Sequence, residues 1–107
     1  MARLAAACRT GRVAAIQQVL DPDAVAVVDG GGRVPAPVRP VEGAAEIARL
    51  LQSLLPGAEP TVRSVNGRAG IVLRRAGHAV AVIAVGDRVR TLWIVLNPAK
   101  LDGWHRR

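Results

Sequence analysis

The second half of the chain constrains the fold most. From Glu59 onward no helical period appears until the last ten residues; four runs rich in β-branched and other apolar residues, 60–65, 69–75, 79–85 and 88–96, take its place. Asn66-Gly67, Gly77 and Gly86-Asp87 separate them, connections short enough to be hairpin turns, so the four strands form an antiparallel meander. The first half supplies helices to cover it. Leu4, Ala7 and Cys8 share a helical face, Thr10-Gly11 interrupts, and Val13, Ile16 and Leu20 resume at spacings of three and four. Pro22 stops that helix, because it disfavours helical backbone at Asp21. Residues 24–29, AVAVVD, read as a strand that is apolar on both faces and is expected to be covered on both. After a proline-rich segment, a helix begins near residue 41. Ile47, Leu50, Leu51, Leu54 and Leu55 form its apolar stripe, Glu46, Arg49 and Gln52 face away, and Pro56-Gly57 ends it. The order helix, helix, strand, helix, then four strands predicts an α+β layout with helices on one face of a curved sheet.

One domain spanning 1–107 fits this length. Phe and Tyr are absent and Trp93 and Trp104 are the only aromatics, so Ala, Val, Leu and Ile must fill the core. Few rings remain for stacking on bases or recognising ligands. The formal charge is +7, yet the arginines are spread along the chain, with no run longer than Arg74-Arg75 or Arg106-Arg107. They read as a solvated surface, and no direct nucleic-acid contact is expected. Cys8, the one cysteine, leaves no internal disulfide or cysteine-based zinc site and points to a reduced, cytoplasmic compartment. The longest purely apolar run, residues 79–85, falls far short of the roughly 20 residues that cross a bilayer, so no membrane partner is expected. Arg9 and Arg12 break the Ala-rich start before an export signal forms.

The last strand raises a packing problem. Val89, Thr91, Trp93 and Val95 lie on one face; Arg90, Leu92, Ile94 and Leu96 lie on the other. The run 79–85 is likewise apolar on both sides. One layer of helices covers one side of a sheet, so the other side is expected to meet a second copy or a different domain.

No constellation for catalysis stands out. Asp29, His78, Asp87, His105 and the carboxylates of Asp21 and Asp23 are the acid and base candidates, and no spacing pairs them. Asp29 and Asp87 occupy turn positions, where Asp is common for backbone reasons. His78 reads as a surface residue and His105 as part of a basic tail, and two histidines without a carboxylate pattern give no metal site. Ser53 and Ser64 lack a nucleophile-elbow context. No catalytic residue, metal or cofactor is therefore assigned. The run Asp29-Gly30-Gly31-Gly32-Arg33-Val34 suggests a phosphate cradle, but such loops need a helix opening directly after the glycines. Pro35, Pro37 and Pro40 postpone that helix. A tight turn into an extended edge fits better, with Gly30 to Gly32 supplying positive φ or close backbone approach. Three glycines exceed what a two-residue turn demands, and the excess hints at a contact surface.

The segments DPDAVAVVDGGGRVPAPVRPVEG, VNGRAGIVL and the closing NPAKL resemble the C-terminal SnoaL-like domain of extracytoplasmic-function sigma factors of the sigma factor J type. The resemblance spans nearly the whole chain. It implies the nuclear transport factor 2-like (SnoaL-like) cone, a curved antiparallel sheet packed on about three helices. It also implies a non-catalytic domain that modulates sigma activity and transcription initiation through protein–protein contacts with the sigma helical domains, and indirectly with RNA polymerase. Asp29, Gly30, Gly31, Gly32, Arg33 and Val34 would lie at that contact, and Asn97, Pro98, Lys100 and Leu101 would help set it. Ala99 departs from the acidic residue usual in the family's closing motif. No sigma helical domains precede Met1 in the sequence, so an excised or free-standing regulatory domain is expected and promoter recognition is not carried over.

Two other readings follow from the same fold. One is a free-standing small-molecule binder or polyketide-cyclase or isomerase-like enzyme, which a deep cavity with a buried carboxylate beside His78 would mark. The other is a homodimer through the open sheet face. For the regulatory reading, Gly31→Arg is expected to leave the domain folded and weaken association with the sigma helical domains.

Overall fold

The structure, a computed structural model, describes residues 1–32, 36–37, 39–86 and 90–105. Two short helices, α1 (Ala2–Thr10) and α2 (Val13–Val19), open the chain and break where Thr10-Gly11 predicts. Strand β1 (Val25–Asp29) follows, then the two-residue strand β2 (Val41–Glu42) and helix α3 (Ala44–Leu54). The predicted meander is β3 (Glu59–Val65), β4 (Arg68–Arg75), β5 (His78–Val85) and β6 (Thr91–Val95). A four-residue helix, α4 (Pro98–Leu101), and a 3-10 turn at Asp102–Trp104 close the described chain.

All six strands join one sheet in the order β2-β1-β6-β5-β4-β3. Asn66-Gly67 and Ala76-Gly77 are two-residue loops with φ positive at both central residues, the turn whose twist matches that of the flanking strands. The expected Gly77 turn therefore also uses Ala76, at a φ of 54°. The Gly86-Asp87 turn and Val89 fall partly or wholly on residues 87–89, outside the described residues. The β4–β5 register shifts at Leu73/Arg74, leaving Val80 unpaired in a bulge that bends the sheet. One pairing was not expected: β1 lies between β2 and β6 and runs parallel to β6, so the sheet is mixed where an antiparallel one was predicted. Hairpin turns dictate neighbours within the meander, whereas nothing local to β1 specifies which meander edge it joins.

The helices cover one face of this sheet. Leu4, Ile16, Ile47 and Leu51 from the helices pack on Ile71 and Leu73 of β4, Ile83 of β5, and Leu92 and Ile94 of β6, all without solvent exposure. Leu50 and Leu54 of the predicted stripe are only partly buried at its margin. The opposite, outer face carries a smaller cluster, Val65, Val72, Ala79 and Val82, closed over by Leu101 and flanked by Trp104. Strand β1 is not covered on both faces as expected: Val27 is 44% exposed, because the C-terminal segment lies over the other end of the outer face.

Candidate partner-contact site

The parallel pairing of β1 with β6 determines where the two sequence motifs end up. Parallel neighbours run out at the same end of a sheet, so the glycine turn after β1 and helix α4 after β6 start side by side. Asp29 pairs with Val95, and the next residue, Leu96, donates its N–H to the Asp29 carbonyl at 2.7 Å.

From there each motif residue has a physical task. Asn97 caps α4, its Oδ1 accepting the Ala99 N–H at 3.1 Å, and Pro98 occupies the first helical turn, where its missing N–H costs nothing. Lys100, one turn on, reaches back to Asp29, Nζ to Oδ2 at 2.6 Å. The other Asp29 oxygen, Oδ1, accepts the Gly31 N–H at 2.9 Å, closing the turn. The Lys100 ammonium, and then the Gly31 N–H, hold the Asp29 carboxyl below its ordinary value. Leu101 turns inward and is buried against the outer-face cluster.

Gly31 has two reasons to be glycine. Its φ is +63°, and a Cβ there would come within 2.6 Å of Asn97 Nδ2 and 2.5 Å of its Oδ1. The turn thus rests directly on the side chain that caps α4. This revises the expectation for Gly31→Arg: a side chain at 31 displaces Asn97, so the substitution probes the junction's geometry and is not a neutral surface probe. Gly30 is buried and Gly32 is exposed with φ at +73°. Arg33 and Val34, assigned to the same contact, lie outside the described residues. Sequence reading paired the motifs by resemblance and missed their mechanical link, since the Asp29–Lys100 bond spans 71 positions.

The C-terminal segment is fastened further along. Buried Arg74 donates from Nε to the Trp104 carbonyl at 2.8 Å, and the Ala79 N–H donates to His105 Nδ1 at 2.8 Å. His105 was expected in a basic tail; its ring is instead docked on the first residues of β5. Its Nε2 lies 3.4 Å from Asp102 Oδ1 and its ring meets His78 edge-on at 5.1 Å. His78 is exposed, as expected.

The aliphatic side chains named above pack together between the helices and the sheet. Among the described residues the one buried charged side chain is Arg74. No group of three or more potential metal ligands occurs among them. A groove of about 770 Å³ opens to solvent between α1, α3 and β3, and its lining includes Cys8, Arg9, Gln52, Ser53, Leu55 and Glu59. Burial pushes the Cys8 thiol up to about 11, against a smaller opposing pull from Arg9, so it stays protonated and unreactive near neutrality. No described helix is long and apolar enough to cross a membrane.

A bent sheet wrapped over three helices, with its exit strands ending in a shared turn-and-helix junction, is the nuclear transport factor 2-like cone. The chain resembles the SnoaL-like C-terminal domain of extracytoplasmic-function sigma factors: it is 28% identical, over an alignment 117 positions long including gaps, to the RNA polymerase sigma factor SigJ of Mycobacterium tuberculosis, covering 94% of this chain and 38% of SigJ. The crystal structure of SigJ superposes with a TM-score of 0.66 over 95% of this chain and 42% of that one. The chain thus spans about two-fifths of the length of the sigma factor it matches. A steroid delta-isomerase from Pseudomonas aeruginosa, 19% identical, aligns over 94% of this chain and 84% of its own with a TM-score of 0.50, and shares the fold alone. An LEH-like epoxide hydrolase of M. tuberculosis, 14% identical over 92% of this chain and 80% of its own, also has a TM-score of 0.50. No family model matches the chain.

Proposed function

We propose that this chain is a non-catalytic regulatory domain of an extracytoplasmic-function sigma factor, acting in the cytoplasm on the sigma helical domains and through them on RNA polymerase. The observation that carries the reading is the resemblance to SigJ along 94% of the chain, which includes both halves of the Asp29–Lys100 junction. Asp29, Gly30, Gly31, Gly32, Arg33, Val34, Asn97, Pro98, Lys100 and Leu101 form the contact in this reading. A junction held by an ion pair, a helix cap and a glycine fitted against an asparagine presents backbone and charge in a fixed arrangement, which lowers the ordering cost of binding a protein surface.

The test is transcription in vitro by RNA polymerase carrying a SigJ-type factor trimmed of its own C-terminal domain, with this chain added in trans. A change in transcript yield that saturates with added chain, and that Lys100→Glu reduces at least tenfold in apparent affinity, is expected. Unchanged yield at saturating, correctly folded chain overturns the proposal.

A further inference from the structure

The outer face of the sheet holds a feature that the junction does not use. Val27 of β1, Trp93 of β6 and Ala84 of β5 are register neighbours in one row, and Gly70 of β4 and Arg63 of β3 continue it. Trp93 is 38% exposed and Val27 44%. Between them and β3 the row has almost no side chain, since Ala84 is small and Gly70 has none. Gly70 is fixed as glycine by packing: a Cβ there would lie 2.6 Å from the Ile83 carbonyl oxygen and 2.6 Å from Val65 Cγ2. The result is a notch of about 250 Å³ whose walls include Trp93, Arg68, Val65, Val82 and Val95. That is smaller than the roughly 300–1,000 Å³ of small-molecule pockets, and suits a side chain of another polypeptide.

Charge narrows the partner. The Arg68 guanidinium lies over the Trp93 ring, 5.2 Å from its centroid, and Arg63 stands on the same face across Gly70. Neither makes a salt bridge with a described carboxylate. Of the described carboxylates of this face, Asp29 is bound to Lys100, Asp102 sits by His105 and Glu59 is at the far end of β3, opposite Arg74; Glu42 pairs with Val25 on the edge strand β2, on the opposite side of Trp93 from Arg68 and Arg63. The C-terminal segment covers the other end of this face and leaves the Trp93 end open. A second copy of a +7 chain would bring like charges together across this face, which disfavours self-association.

We propose that the Trp93–Arg68 notch is a docking site for an acidic, apolar polypeptide segment, which seats an aliphatic side chain between Trp93 and Val65 while its carboxylates pair with Arg68 and Arg63. Tryptophan and arginine are among the residue types enriched where binding energy concentrates at protein interfaces, and here the arginine lies over the tryptophan face. The site is separate from the Asp29–Lys100 junction and does not depend on the sigma-factor reading.

The test uses the 107-residue chain and two labelled dodecapeptides, one alternating Glu and Leu, the other alternating Lys and Leu. Binding is read by fluorescence anisotropy and by the indole N–H signals of Trp93 and Trp104 in a nitrogen-edited proton spectrum. The Glu peptide should bind, shift the Trp93 signal far more than that of Trp104, and weaken with added salt. Arg68→Ala should weaken it about threefold and Arg68→Glu at least tenfold, with denaturation midpoints checking that both variants fold. Equal affinity for the Lys peptide, or a stationary Trp93 signal, overturns the proposal. So does a dimer in sedimentation whose Trp93 signal moves with protein concentration, since it gives the face to a second copy.

Discussion

The two faces of the sheet are built from the same strands and follow opposite rules. The helix-covered face is dry and aliphatic, and Ile71, Leu73, Ile83, Leu92 and Ile94 lose all solvent contact there. The outer face holds a buried arginine, a docked imidazole, an exposed tryptophan and a short helix pinned by one ion pair and one buried leucine. Apolar burial is non-directional and tolerant of detail, so the first face makes the fold. Polar contacts at fixed distances make the second face specific, and its partial cover leaves surface for partners.

Core truncation should therefore dwarf every outer-face change. Leu51→Ala, at a site with no exposure, is expected to cost about 2–5 kcal/mol in denaturant unfolding. Gly70→Ala links the faces, because its methyl must push the Ile83 backbone oxygen that the inner layer holds; a loss of about 1–3 kcal/mol is expected. Gly31→Ala should cost about 1–2 kcal/mol for its left-handed backbone, plus the displacement of Asn97. Combining it with Asn97→Ala should recover the displacement part and leave the backbone part. Strict additivity in that double-mutant cycle would refute the contact.

A smaller effect is expected from Asp29→Asn, and it carries a pH signature. The fold lowers the pKa of this carboxyl, so its stabilisation is fully present above the unfolded value of about 3.9 and is lost as pH falls through the folded value. The stability gap between wild type and Asp29→Asn should thus close on acidification below about pH 4, and shrink with salt because the pair is exposed. A gap independent of pH would assign the effect to the turn alone. Arg68→Ala should lower the unfolding free energy by no more than the cation–π contact it removes, about 0.5–1 kcal/mol at an exposed site.

The inner face was legible in the sequence because it is written in local periods. The stripe Ile47, Leu50, Leu51, Leu54, the Asn66-Gly67 turn and the alternation of Leu92, Ile94 and Leu96 each speak within a few residues. The outer face depends on pairings between distant segments. The parallel β1–β6 register, the Asp29–Lys100 bond and the docking of His105 on Ala79 join positions 66, 71 and 26 apart, and no local rule announces them. The triple glycine could be read as a turn, and Gly31 and Gly32 do take positive φ, but the seat of Asn97 against Gly31 was not legible; nothing in the structure explains glycine at position 30.

The most direct test of the junction as the contact is hydrogen–deuterium exchange of this chain, free and mixed with the helical domains of a SigJ-type sigma factor. Slowed exchange concentrated at residues 29–32 and 97–101, with α2 and α3 unaltered, is the predicted result. Protection confined to the helices, or none at saturating partner, would contradict it.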